Sequence, residues 1–571
     1  MIEHTKRLSR KKISIALCIA CALAVFFFVY SFIAFQEISG NIVKLNSPDE
    51  TANYYFSKLF AEHTEIGYAE PLLRDTKNFI HPRSMTGSAD GTHVVPVSFL
   101  GMVLLYGTLG KIFGSAAILF FTPVIAVLGS VFFYFLLAEF FSKRIALLSS
   151  ALLLIHPAYW YYSAKGMFPN VLFIDFIIIG LFILWRAFHS HSRTLFFLSG
   201  LCIGAALMVR LSELPWVFLL LAFIWICKFR IFRFWRTLFF ICGVSLALTV
   251  LLVANQQVYG NIFSSGYAFI DANASIQQVH QAIKVAQQGQ IMRLQWWQEI
   301  GISLSSAAKP FVKYLFPFGI ASEVFLKNFF TYGISLFWWF SSAAAVGVGG
   351  LLFDGMRRLR KRTWPKEWGY LCAMVLVCVW LIPLYGSWIV TDTITGEATI
   401  GNSYVRYWLA LYCFMIPLAA YALCHIYDFA RPMIGRRIAV PILCFAFVFY
   451  SFQGVLWEET DGLFAVAQHI SEYRDTSAHI AGLTENDAVI FSSRSDKIFF
   501  PERRVAQSFD RFPEAEIIPA LIEHAPAYYY GIGDQKTAEY ISKKYFSQHG
   551  LRLEPVFIVS EVDSLYRVMR K

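Results

Sequence analysis

The sequence predicts an all-α polytopic membrane protein with a small α/β domain at its C-terminal end. Three observations lead there. The 571 residues are 57% hydrophobic and 15% charged, with a mean hydropathy of +0.53, whereas soluble domains carry about 25% charged residues. The apolar residues also cluster. Stretches 115–140, 145–162 and 168–185 are almost uninterrupted, each close to the roughly 20 residues that cross a bilayer. Finally, lysines and arginines concentrate in alternate short loops. Disorder, a coiled coil and a disulfide-stapled secreted domain are excluded.

About eleven spans are expected, over 13–35, 115–141, 145–162, 168–188, 194–211, 214–228, 237–255, 331–353, 368–389, 405–425 and 438–456. The basic residues fix their direction. Lys6, Arg7, Arg10, Lys11 and Lys12 precede the first span, and Lys143 with Arg144 follow the second. Arg186 and Arg193, then Lys228, Arg230, Arg233 and Arg236, fill the next loops on that side. Arg357, Arg358, Arg360, Lys361, Arg362 and Lys366 form the densest cluster, and Arg431, Arg436 and Arg437 the last. This positive-inside pattern sets the N-terminus inside and the C-terminus outside the plasma membrane. The net charge of +11 is thus a topology signal, and no nucleic-acid partner is implied. All ten cysteines fall within the spans, so no disulfide framework or cysteine metal site is expected outside. The first apolar run continues through Ala34, too long for a signal peptide, and reads as an uncleaved helix.

Two outer loops, 36–114 and 256–330, belong to a membrane domain of residues 1–456, and an outer α/β domain spans 457–571. The first loop opens with a helix start. Ser47 is a good N-cap, Pro48 suits the first helical position, and Glu50 completes a capping box. Residues 98–113 are apolar but short, and counting them as a span inverts every later loop. They are expected as an interfacial or re-entrant helix. The second loop is Gln-rich over 277–298 and ends in Trp296 and Trp297, a headgroup-level signature. In the tail, apolar runs Ala488–Phe491, Ala527–Tyr530 and Pro555–Val559 read as strands, with a helix near 534–547. Gly531-Ile532-Gly533-Asp534 lacks the third glycine of a dinucleotide fingerprint and reads as a turn.

Walker, His-Glu-x-x-His, Asp-x-Asp and Gly-x-Ser-x-Gly signatures are missing, which removes the usual support for nucleotide hydrolysis, zinc proteolysis and esterase chemistry. Ionisable residues within spans are sparse. Asp175, His156 and Glu139 are a thin set for an ion-coupled transporter, and His156 and Asp175 read as polar contacts between helices. Polar residues gather instead where spans reach the outer face. Asp49 and Glu50 follow the first span, and Lys165 follows the third. Arg210 and Glu213 flank the turn after the fifth, while Tyr404, Arg406 and Tyr407 open the tenth. His81-Pro82-Arg83-Ser84 stands in the first loop. A carboxylate pair and several cations in one layer suit an anionic, lipid-linked substrate. Plainer readings remain for each: Asp49 and Glu50 as the acidic first turn of a capped helix, the cations as snorkelling anchors, Arg210 with Glu213 as an i,i+3 pair.

The acidic pair beyond the first span resembles the first outer loop of the C-superfamily membrane glycosyltransferases (GT-C), nearest the protein-O-mannosyltransferase-like set called glycosyltransferase family 39. Lys111-Ile112-Phe113-Gly114, Phe140-Phe141-Ser142-Lys143-Arg144-Ile145-Ala146-Leu147-Leu148, Gly204-Ala205-Ala206-Leu207-Met208-Val209-Arg210 and Gly401-Asn402-Ser403-Tyr404-Val405-Arg406-Tyr407-Trp408 resemble family segments in the same order. The likeness covers roughly residues 10–455. It implies an inverting hexosyl or pentosyl transfer from a polyprenyl-phosphate-linked sugar to a protein, lipid or glycan acceptor on the outer face. Carried over, Asp49 becomes the general base, with Glu50 beside it. Arg83, Lys165, Arg210, Tyr404 and Arg406 meet the donor phosphate, supported by His81, Glu213 and Tyr407. No cofactor is expected, and a divalent metal has no motif to hold it. The Lys-Pro-Pro block of aminoarabinose-transferase-like relatives and the β-trefoil insert of eukaryotic mannosyltransferases are both missing, so donor sugar and acceptor stay open. Two other functions stand beside the transferase: a transporter or flippase of lipid-linked saccharides, and a non-catalytic envelope assembly protein.

Overall fold

The structure is a computed structural model that describes residues 19–40, 42–231, 233–269, 322–388, 398–429, 436–508, 512–558 and 564–571. The Gln-rich stretch 277–298 and the Trp296-Trp297 pair lie outside the described residues. In chain order the helices are α1 (Ile19–Tyr30), α2 (Phe32–Ile38), α3 (Pro48–His63), α4 (Gly101–Phe113), α5 (Phe121–Leu137), α6 (Lys143–Ile155), α7 (Pro157–Lys165) and α8 (Pro169–Ser190). They continue with α9 (Arg193–Val209), α10 (Leu214–Cys227), α11 (Phe234–Tyr259), α12 (Trp338–Arg360), α13 (Lys366–Gly386), α14 (Leu409–Phe429) and α15 (Arg436–Leu456). Helices α16 (Leu463–Leu483) and α17 (Gln535–Ile541) belong to the C-terminal part. Strands are β1 (Tyr68–Ala69), β2 (Met85–Gly87), β3 (His93–Pro96), β4 (Val489–Ser492), β5 (Arg504–Gln507), β6 (Ala527–Tyr530), β7 (Leu551–Ile558) and β8 (Ser564–Arg570).

Among the described residues, each expected span falls largely on helix. Among the described residues five helices are long and apolar enough to cross a membrane, or up to nine if each bent pair is one span. The chain is a multi-pass membrane protein. The bends refine the expected segments. The third breaks by 53° between α6 and α7, where Pro157 starts the new helix; a proline removes a backbone donor and clashes with the preceding turn. The fifth and sixth meet at a 113° turn between α9 and α10. The eighth begins at Trp338, later than expected, because the preceding helix Glu323–Ser335, π-helical over Phe329–Ser335, meets α12 at 94°.

The chain forms two compact units, and the described residues of Met1–Ala34, Phe120–Leu248 and Gln278–Ala465 make the first. It is helical, with α8 packed on α5 and α9, and α14 on α6 and α12. Small residues permit the closest crossings. A methyl at Gly204 of α9 falls 2.8 Å from the Val244 carbonyl oxygen of α11, the backbone approach that small residues allow within membranes. Asp175, fully buried, accepts from the Tyr159 hydroxyl at 2.7 Å, a polar contact between α8 and α7.

The second unit combines Phe35–Leu119, Thr249–Gln277 and Val466–Lys571. First-loop strands form an antiparallel sheet in the order β1-β3-β2, with Thr86 opposite Val95. The C-terminal sheet has the order β5-β4-β6-β8-β7, parallel across its first three strands and antiparallel beyond. Strand β6 coincides with an expected run, and β4 and β7 overlap the other two; β5 and β8 are additions. Gly531 and Gly533 both have positive φ, as a turn requires, and Asp534 caps α17 by accepting from the Thr537 amide at 2.8 Å.

One hydrophobic core joins the first loop to the C-terminal segment. Ala52 and Phe56 of α3 and Val103 of α4 pack with Ile480, Ile490, Phe499 and Tyr528. The tail is therefore built onto the helix that carries Asp49. Lys44 reinforces the join by donating to the Ile498 and Phe500 carbonyls at 2.5 and 2.9 Å and pairing with Glu502 at 2.6 Å. Burial pulls its ammonium group below the ordinary lysine range, against the opposing pull of Glu502. The expected helix at 98–113 is α4, whose Gly107 lets it approach Phe60 of α3 so closely that an added methyl meets that ring at 2.6 Å.

Candidate active site

Four helix ends of the first unit bring six of the expected residues into one neighbourhood. Arg210 ends α9, and a short 3-10 turn over Leu211–Glu213 leads into α10. Lys165 is the last residue of α7, stopped by Gly166, whose φ of 77° suits glycine alone. Tyr404, Arg406 and Tyr407 lie on a 3-10 turn that precedes α14, and Tyr385 lies near the end of α13.

Arg210 is held in place. Its Nη2 donates to Glu213 Oε1 at 2.8 Å and to the Tyr385 hydroxyl at 3.2 Å, and its Nε donates to Glu213 Oε1 at 3.0 Å. The Tyr385 hydroxyl and the Trp216 indole N–H, at 2.6 Å, also donate to Glu213. The pair is more than the i,i+3 contact read from spacing, because Glu213 gathers three donors. Arg406 is 6% exposed, and its guanidinium carbon lies 4.3 Å from the Phe168 ring and 5.3 Å from the Tyr407 ring. Arg210 reaches the same Tyr407 ring at 5.0 Å. Lys165 lies 5.2 Å from Phe168, so that ring contacts two cations. Cation–aromatic contacts of this kind stabilise a desolvated charge by about 2 kcal/mol. Arg210, Glu213, Arg406, Tyr407 and Asn170 line one small cleft.

The Tyr404 hydroxyl donates to the Tyr385 carbonyl at 2.6 Å, and a tyrosine has a single proton to give. Phe168, Asn170, Trp216 and Tyr385 were not anticipated. Nothing in an isolated aromatic or amide distinguishes a residue beside a cation from one in a helix interface.

The second unit holds the remaining expected residues. Asp49 and Glu50 occupy the first turn of α3, where the helix N-terminus favours negative charge. Ser47 sits at the N-cap position, but its side chain makes no capping hydrogen bond, so the expected capping box is incomplete. Glu50 is 1% exposed. Asp49 is half-buried and accepts from Ser84 Oγ at 2.5 Å. Ser84 has a φ of 61°, a conformation uncommon for residues other than glycine. Arg83 is engaged elsewhere: its backbone N–H and Nε donate to the two Asp496 oxygens, each at 2.7 Å, and its Nη2 donates to the Arg494 carbonyl. His81 Nδ1 lies 2.9 Å from the Pro82 carbonyl. Among the described residues no group of three or more His, Cys, Asp or Glu is placed to hold a metal ion.

A helical unit with cations at its helix ends and a second unit carrying an acidic helix start make up the fold. Solved structures share it. The archaeal oligosaccharyltransferase AglB from Archaeoglobus fulgidus, in complex with an inhibitory peptide and a dolichol-phosphate, is 13% identical with a TM-score of 0.52, over 90% of this chain and 69% of that one. ArnT from Cupriavidus metallidurans in the apo state is 12% identical with a TM-score of 0.52, over 98% of both chains. ArnT bound to undecaprenyl phosphate is 9% identical with a TM-score of 0.50, over 97% of this chain and 98% of that one. No protein-family model matches the sequence, and no curated protein matches it.

Proposed function

We propose that this chain transfers a sugar, with inversion, from a polyprenyl-phosphate donor to an acceptor at the outer face of the plasma membrane. The observation that carries the reading is the convergence of Arg210 and Arg406 on the one ring of Tyr407. Two guanidinium groups held together against one carboxylate, Glu213, leave the cleft with a positive balance. In this reading the acceptor oxygen attacks the anomeric carbon, the bond from that carbon to the phosphate oxygen breaks, and its electron pair leaves with the phosphate. Arg210 and Arg406, with Lys165 behind them, stabilise the developing charge. Asp49, at the start of α3, takes the acceptor proton, with Glu50 beside it. Arg83 is assigned to joining the first loop to the C-terminal segment through Asp496, and Tyr404 to holding the end of α13. The lipid phosphates bound by the structural neighbours AglB and ArnT favour a polyprenyl donor.

The test is turnover by the purified chain in lipid, supplied with labelled polyprenyl-phosphate sugars and envelope acceptors. Arg406→Ala is expected to lower turnover by about 10²–10³-fold, the usual cost of removing one group that stabilises transition-state charge. Unchanged transfer in that variant defeats the phosphate assignment. Movement of the lipid-linked sugar across the bilayer with no transfer in the wild type replaces the transferase by a flippase.

A further inference from the structure

Inside the first unit, between α5, α8, α10, α13 and α14, lies a cavity of about 440 Å³. Phe133, Ile177, Leu181 and Leu220 give it an apolar wall. Packed interiors leave few voids larger than a water molecule, and this volume lies within the roughly 300–1,000 Å³ range of ligand pockets. An apolar space of that size excludes water and can take an apolar ligand. At one end it adjoins the cation cleft, since Ile174 and Ala410 line both. At the other end its rim holds Glu139, His189, Lys228 and Lys366. The Lys228 ammonium stands 5.1 Å from the centre of the Trp185 ring, which is part of the cavity lining. Trp185 Nε1 is buried with no hydrogen-bond partner.

We propose that this cavity binds an anionic glycerophospholipid, one acyl chain filling the apolar space and the phosphate meeting Lys228 and Lys366. Charge complementarity selects the headgroup. Two ammonium groups against one carboxylate leave the rim one positive charge in excess, which a headgroup with a single net negative charge neutralises and a zwitterionic one does not. A polyprenyl chain entering from the cation cleft has no use for cations at its far end. The positive-inside rule explains lysines at that membrane face, but not an open apolar cavity beneath them. The site is independent of the transfer reaction, and its occupancy is read without turnover.

The test is native mass spectrometry of the full chain in mild detergent with equimolar phosphatidylglycerol and phosphatidylethanolamine. Wild type is expected to retain phosphatidylglycerol with about a tenfold preference, in keeping with two lysines near one anionic headgroup. The Lys228→Ala/Lys366→Ala variant, altered only at the rim, is expected to lose the preference. Leu181→Trp, which fills the cavity and keeps both lysines, is expected to lose retention of either lipid. Equal retention of the two lipids by wild type overturns the proposal, as does an undiminished preference in the double lysine variant. Displacement of phosphatidylglycerol by added undecaprenyl phosphate also overturns it, because the cavity then belongs to the donor lipid.

Discussion

Ser84 Oγ donates to Asp49 Oδ1 at 2.5 Å, across 35 residues of sequence. The serine reaches it from a left-handed backbone conformation, φ 61°, of the kind that costs about 1–3 kcal/mol and persists where surrounding structure enforces it. In the proposed reaction this hydroxyl aims the base. Ser84→Ala is expected to lower kcat by about 10–100-fold, the scale on which small misplacements of a reacting group act, while donor KM stays unchanged. Steady-state kinetics on the variant give the answer; a change confined to KM assigns Ser84 to donor binding.

Asp496, 1% exposed, receives both the backbone N–H and the Nε of Arg83. Asp496→Ala removes a charged acceptor and is expected to cost about 1.5–3 kcal/mol of stability. Chemical denaturation of the purified chain measures it. A variant as stable as wild type shows that the pair contributes nothing to the union of the first loop and the C-terminal sheet.

Glu485 sets a pH dependence in the C-terminal segment. Partial burial works to raise its carboxyl, but the Tyr528 hydroxyl at 2.6 Å and Arg567 at 2.8 Å outweigh that and hold it below the ordinary value. The folded state therefore binds its proton less readily than the unfolded chain does. Its contribution is fully present above the unfolded value, about 4.3, and is lost as pH falls through the depressed folded one. Thermal melts from neutral pH down to about 3 are expected to decline less steeply for Glu485→Gln than for wild type. Identical profiles contradict the assignment. The pair is partly exposed, so the difference is small, at most about 1 kcal/mol.

Much of the fold is legible in the sequence because apolar run length and loop charge are local signals. The spans, the short helix α4 and three strands of the C-terminal sheet follow from them. The bends at Pro157 and before Trp338 are not legible in the same way, since a proline within an apolar run does not say whether the helix kinks or starts again. Strands β5 and β8 escaped because Arg504–Gln507 and Ser564–Arg570 mix charged and apolar residues. At the site, Arg210 and Arg406 stand out as cations at span ends, but their convergence on Tyr407 depends on the packing of α13 against α10 and α14. Arg83 shows the limit most clearly. In sequence it is one more cation near the acidic pair, and only its distant partner Asp496 reveals where its charge is neutralised.

The central claim, Asp49 as general base, is tested most directly by comparing wild type with Asp49→Asn for transfer of labelled sugar from polyprenyl phosphate to envelope acceptor. Asparagine keeps the shape and can still accept from Ser84, but it cannot take a proton. The account predicts turnover lowered by about 10²–10⁴-fold, the contribution of a positioned general base, with thermal stability unchanged. Transfer that persists at the wild-type rate in a folded variant contradicts it and moves the base elsewhere, to Glu50 first.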